Sequence, residues 1–267
     1  MWINIAVGAV LGGFVGFILS FALRTTHVSE RAKRVIQSIC IGFAVVIGSK
    51  FVSPPLQLKY AMSQIEDQLS RTNPAFVAMK THEPEAYAQV IARTSAGLEA
   101  GKTVPEIQVD VRNTITGILE KKLPVAADDS VLEYMRVTVL GIRELYVKND
   151  EACYTYLFPE SGPPFDITQR LTKATMDAEA SALAAVISAA STNPQKRVSI
   201  DEFEADLAYI YLTALKKYGA DVEMLNVPQT ALPAKRRVCE MVVDLYENVF
   251  ALPREKAGRI VRAMLSS

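Results

Sequence analysis

The stretch SIDEFEADLAYIYLTALKKYG, residues 199–219, decides the fold class. Phe203, Leu207, Ile210, Tyr211, Ala214 and Tyr218 recur at spacings of three and four, which on a helix gathers them along one face. Ser199 stands three residues before Glu202, the spacing of a capping box, and Gly219 follows the last apolar position, where a residue without Cβ ends a helix cheaply. The same grammar recurs on both sides. Thr103-Val104-Pro105-Glu106 and Asp166-Ile167-Thr168-Gln169 repeat the box spacing, Asn73-Pro74 reads as a cap followed by proline at the first helical position, and Val238, Met241, Val242, Leu245 and Val249 form another stripe. These signals predict helices over 56–70, 74–80, 84–100, 104–121, 130–148, 150–157, 167–190, 200–218, 234–250 and 254–265. The run Cys153-Tyr154-Thr155-Tyr156-Leu157-Phe158 is rich in strand-favouring residues, but it follows the acidic Asp150-Glu151 and stops at Pro159, so a short helix entering a loop is expected. The expectation is an all-α domain over 55–267, with loops at Pro159 to Pro164 and Thr192 to Val198 inside it.

Ahead of that domain, two apolar stretches, 3–23 and 35–52, flank a loop at 24–34 carrying Arg24, Arg31, Lys33 and Arg34. The first is uncharged and long enough to cross a hydrocarbon layer about 30 Å thick. Its start, Met1-Trp2-Ile3-Asn4, lacks the basic region of a cleaved signal, so the span is expected to persist. Gln37, Ser38 and Ser49 interrupt the second stretch, and Lys50 near its end can snorkel to the headgroups before Pro54-Pro55 stops the helix. A transmembrane hairpin over 1–54 is therefore expected. With its basic loop held in the cytoplasm, the N-terminus and the C-terminal domain would lie in the periplasm, anchored to a bacterial inner membrane. A single span would reverse this and leave the domain cytoplasmic. Gly8, Gly12, Gly16 and Ser20 recur every fourth residue as a glycine-zipper seam. That seam serves either packing within the hairpin or assembly with another copy or protein.

The whole chain is formally neutral, and from Leu56 onward 28 acidic residues outnumber 24 basic ones, the opposite of a nucleic-acid surface. His27 and His82 are the two histidines, and HExxH, GxSxG, P-loop and paired CxxC motifs are absent from the sequence. Asp128-Asp129 invites a cation, but Asp129 ahead of Ser130-Val131-Leu132 reads more simply as a helix cap. Glu202, Glu204 and Asp206 read as a solvated helix face. Cys153 and Cys239 are candidates for a disulfide if the domain is periplasmic, with two buried thiols as the other reading. Phe158 and Phe165 bracket a proline-rich loop that is the candidate partner site, unless both rings tuck into the core. Ala257, Ile260, Val261, Met264 and Leu265 form a final stripe among Arg254, Lys256, Arg259 and Arg262, suited either to closing the core or to a membrane or partner surface.

Three functional classes follow. The first is a membrane-anchored, non-enzymatic helical protein that binds another envelope protein or assembles a complex, a homo-oligomer included, without catalytic, cofactor or metal residues. The second is an envelope enzyme acting on lipid or cell-wall substrates through dispersed Asp, Glu, Tyr and Lys side chains. The third is a channel or transporter accessory built on the glycine seam. Within the binding class, an apolar cavity between helices would favour carriage of a lipid or another hydrophobic ligand.

Overall fold

The computed structural model describes residues 63, 66–67, 69–148, 150–158, 162, 166–226 and 234–266. Both apolar stretches, the seam residues Gly8, Gly12, Gly16 and Ser20, and Phe165 lie outside these residues. Nine α-helices are described: α1 (Pro74–His82), α2 (Pro84–Glu99), α3 (Val104–Lys122), α4 (Asp128–Lys148), α5 (Asp150–Leu157), α6 (Lys173–Thr192), α7 (Glu204–Tyr218), α8 (Lys235–Phe250) and α9 (Arg254–Met264). Among the described residues there is no strand, and no helix is long and apolar enough to cross a membrane.

The helix starts follow their local chemistry. Asn73 Oδ1 accepts hydrogen bonds from the backbone N–H of Ala75 (3.0 Å) and Phe76 (3.3 Å), with Pro74 at the first position of α1. Thr103 and Glu106 form the capping box of α3, and Ser199 and Glu202 form the one that opens the 3₁₀ turn Ile200–Phe203 ahead of α7. Asp166 is different. Gln169 donates its side-chain amide to Asp166 (3.2 Å) across the 3₁₀ turn Ile167–Gln169, and α6 begins only at Lys173, capped by Thr172. Glu144 of α4 sets that start by accepting from the Thr172 N–H (2.8 Å), the Thr172 hydroxyl (3.0 Å) and the Thr175 hydroxyl. Partial burial works against this carboxylate, but the hydrogen bonds from Thr175 and Thr172 together hold its pKa below the ordinary value.

At the centre is α4, against which α5, α6, α8 and α9 all pack. Val131, Leu132, Met135, Ile142 and Leu145 are buried along it. Helix α6 carries the core outward to α1 and α3, and α2 packs on α1 and α3. A disulfide joins Cys153 of α5 to Cys239 of α8, with their Cα atoms 6.4 Å apart, inside the range that a disulfide spans. Both residues are fully buried.

The last helix closes the core. Ala257, Ile260, Val261, Met264 and Leu265 are all buried, and the four basic residues around them are ion-paired rather than simply solvated. Arg254 meets Asp129 at 2.6 Å, Arg262 meets Asp128 at 2.9 Å, Arg259 meets Glu202 at 2.7 Å and Lys256 meets Asp206 at 2.7 Å. This corrects the capping role expected of Asp129: α4 already begins at Asp128, Ala127 O accepts from the N–H of Ser130 and Val131, and both aspartates hold α9. Burial pushes the Asp128 carboxyl up despite the opposing pull of Arg262 and Arg259. The helices approach closely here. A Cβ on Gly258 would lie 2.8 Å from the Asp128 carbonyl oxygen.

Gly258→Ala should therefore lower the melting temperature, although helix propensity alone predicts a gain of about 1 kcal/mol from alanine at a helix interior. Thermal denaturation followed by circular dichroism reads the sign directly. A stabilised Gly258→Ala variant would contradict the close crossing of α9 over α4.

Candidate functional site

Helix α7 departs from the packing logic of the other helices. Its principal neighbours are α8 and the two 3₁₀ turns that flank it, Ile200–Phe203 and Gly219–Leu225. Ile210, Ala214 and Tyr218 are buried on its inner side, as the periodicity predicts. Tyr209 and Leu212, however, are 68% and 60% exposed, and Tyr211 and Leu215 are exposed beside them. A helix that is apolar on nearly every side is ordinarily enclosed by protein or lipid. This one has half of its circumference open. The sequence reading put Tyr211 on the inner stripe and passed over Tyr209, Leu212 and Leu215. The signal that would have found the open face was available: apolar residues outside the predicted stripe, on a helix with too few charges to solvate its outer side.

Beneath α7 lies a cavity of about 170 Å³. Leu207, Ile210 and Ala214 wall it from α7, Leu245 and Val249 from α8, and Met264 from α9. No charged side chain among the described residues lines it. At its edge, Glu223 accepts from the Tyr211 hydroxyl (3.1 Å) and from the Asn226 side-chain amide (3.0 Å), tying the rim of α7 to the turn that follows Gly219. Gly219 makes that turn possible, ending α7 at φ +60°, where a Cβ would be strained. The cavity compares in size with the apolar hollows of about 150 Å³ that stay dry in protein cores, so α7 rests on its support without filling it.

A second group of functional interest lies elsewhere. Glu179 of α6 is buried, and one carboxylate oxygen accepts from the Tyr156 hydroxyl at 3.3 Å. The Tyr134 hydroxyl, also buried, has no hydrogen-bond partner among the described residues and feels the Glu179 charge. Burial raises the Glu179 carboxyl to about 8 against the weaker opposing effect of the Tyr156 hydrogen bond. Burial also drives both tyrosines well above their ordinary range, with Glu179 adding to the shift. None of these three residues lines the cavity under α7. Among the described residues, no three His, Cys, Asp or Glu side chains are grouped to hold a metal ion.

The remaining sequence candidates are dispersed. His82 is the last residue of α1 and is half-buried. Phe158 is half-buried, its ring 5.0 Å from that of Tyr154 between centroids, so it packs on the core. Glu202 and Asp206 are held by Arg259 and Lys256, whereas Glu204 points to solvent. No protein-family model matches this chain. No curated protein and no solved structure matches it either.

The buried carboxyl has a consequence for stability. Unfolded, Glu179 releases its proton near 4.5; folded, it keeps the proton to about 8. Between these values the native state binds more protons than the unfolded state, so this group lowers stability as pH rises through the window, with a slope of up to about 1.4 kcal/mol per pH unit. Glu144 acts on the other side: its stabilising contribution is present above 4.5 and is lost as pH falls through its depressed folded value. Glu179→Gln should flatten the decline between pH 5 and 8 in chemical denaturation. A slope identical to wild type would show that the carboxyl is not buried as described.

Proposed function

We propose that this chain is a membrane-anchored, non-enzymatic helical protein that recruits a protein partner through the outer face of α7. The observation that carries this reading is the open apolar face of α7, set over a cavity that leaves the helix incompletely supported. Exposed Tyr and Leu side chains in one cluster are a usual mark of a surface that another protein covers. The apolar stretches 3–23 and 35–52 supply the anchor, and the basic loop between them favours a periplasmic domain at a bacterial inner membrane. The disulfide between Cys153 and Cys239 fits that side of the membrane, because such bonds persist in oxidising compartments. The seam of Gly8, Gly12, Gly16 and Ser20 is assigned to helix packing in the membrane.

The test is affinity purification with crosslinking from native membranes, comparing wild type with a chain carrying Tyr209→Glu and Leu212→Glu. The double variant should lose the partner at least tenfold while its melting temperature stays close to that of wild type, since exposed positions tolerate charge. Equal recovery from both chains would remove α7 from the interface.

Topology has its own readout. In full-length protein unfolded in the presence of an alkylating agent, Cys153 and Cys239 should resist modification until reduced, and reduction should cost about 2–5 kcal/mol of stability for a bridge closing so long a loop. Two freely alkylated thiols would count against a periplasmic domain.

A further inference from the structure

We infer that the partner covering α7 is a second copy of this chain, its α7 packed antiparallel on the first. The inference rests on the reading of that face as an interaction surface and names its occupant. Ala205, Ala208, Tyr209, Leu212 and Lys216 fall at helical spacing on one exposed face. The face is graded in size. Apart from Tyr209, the small Ala205 and Ala208 stand in its first half and the large Leu212 and Leu215 in its second, so a two-fold axis level with Ile210 sets Ala208 level with Leu212 of the partner and Ala205 level with Leu215. Each of these leucines then meets an alanine, while Tyr209 lies level with Tyr211 of the partner beside the axis.

Charge points the same way. Asp206, Lys217 and Glu202 are spent within the fold on Lys256, Asp244 and Arg259. Glu204 and Lys216, at opposite ends of α7, are exposed and enter no ion pair with another described residue. Antiparallel pairing brings the acidic end of one helix to the basic end of the other and opposes the helix dipoles. Parallel pairing would set like against like. An anionic bilayer surface would attract Lys216 but repel Glu204 and Asp201. The contact is short: fifteen residues of helix extend about 22 Å, and a single helix pair of that length is a smaller contact than the roughly 1,200–2,000 Å² buried in a stable interface. Confinement of both copies to one membrane supplies the missing affinity as effective concentration.

The experiment uses the full chain in its native membrane, with Cys40→Ala to remove the thiol outside the disulfide. Tyr209→Cys lies one residue from the proposed axis, about 3 Å along it from its counterpart, and a short bis-maleimide should convert it largely to a covalent dimer. Val147→Cys, at a position 71% exposed on α4, should stay monomeric under the same treatment. Lys216→Glu should reduce the Tyr209→Cys dimer several-fold, and adding Glu204→Lys should restore it. Retention of the Cys153–Cys239 bond and of the wild-type melting temperature checks that each variant is folded. Crosslinking of Tyr209→Cys to a different protein would overturn the second copy while keeping the face as an interface. Absence of any adduct in a folded chain would overturn both.

Discussion

The burial of α4 is the constraint on which the rest of the fold depends. A helix of 21 residues surrounded by α5, α6, α8 and α9 must present apolar side chains in several directions, and its ends must be secured without exposing those directions to water. The start is secured by Asp128 and Asp129 holding Arg262 and Arg254. Toward the other end, Glu144 supplies acceptors to the start of α6. Carboxylates on α4 thus fix where α6 begins and where α9 lies. The same enclosure strands polar groups in the interior: among the described residues, the Tyr134 hydroxyl is unpaired and Glu179 has no cation opposite.

That cost has a direction. A buried carboxyl kept protonated is tolerable in acid and increasingly expensive as its proton is withdrawn, so the helices joined at Tyr134, Tyr156 and Glu179 are held least tightly in alkaline conditions. The disulfide works independently of pH. By joining α5 to α8 it restricts the unfolded chain across a loop spanning most of the domain's second half, including α6 and α7. Within that loop, α7 lies at the periphery. Helix α7 contacts the core through one face and a partly empty floor, and its stability depends more than that of any central helix on what covers it.

The helical class and most helix limits were legible because they rest on local rules. Asn73-Pro74, the Thr103–Glu106 box and the glycine ending α7 are short-range arrangements, and each has the geometry its residues suggest. Where local rules failed, a distant residue had intervened. Asp129 was available as a cap, but Arg254, 125 positions away, pairs with it across the α4–α9 crossing. Asp166 and Gln169 had the spacing of a box, yet Glu144 organises Thr172 instead and moves the helix start. The proximity of Cys153 and Cys239 likewise belongs to the packing of α5 on α8, which no spacing along the chain encodes. The apolar spans rest on length and hydropathy alone and remain sequence-based expectations.

The candidate site was illegible for a different reason. Periodicity locates the inner face of a helix by contrast with a polar outer face, and α7 offers almost no contrast. Six apolar residues were enough to predict a stripe; the apolar residues outside it, Tyr209, Leu212 and Leu215, form the exposed face. A helix of this composition is poorly suited to stand alone at a surface, since its outer side chains lose nothing by leaving water and its two ends carry opposite unspent charges. In a chain tethered to a membrane, neighbouring copies meet repeatedly in two dimensions, so a contact too small to hold in free solution can persist there. Under the proposed anchor and α7 pairing, the weakness of α7's seating and the shortness of its outer face would have one physical explanation: an interface that forms where an anchor concentrates the protein and dissolves where it does not.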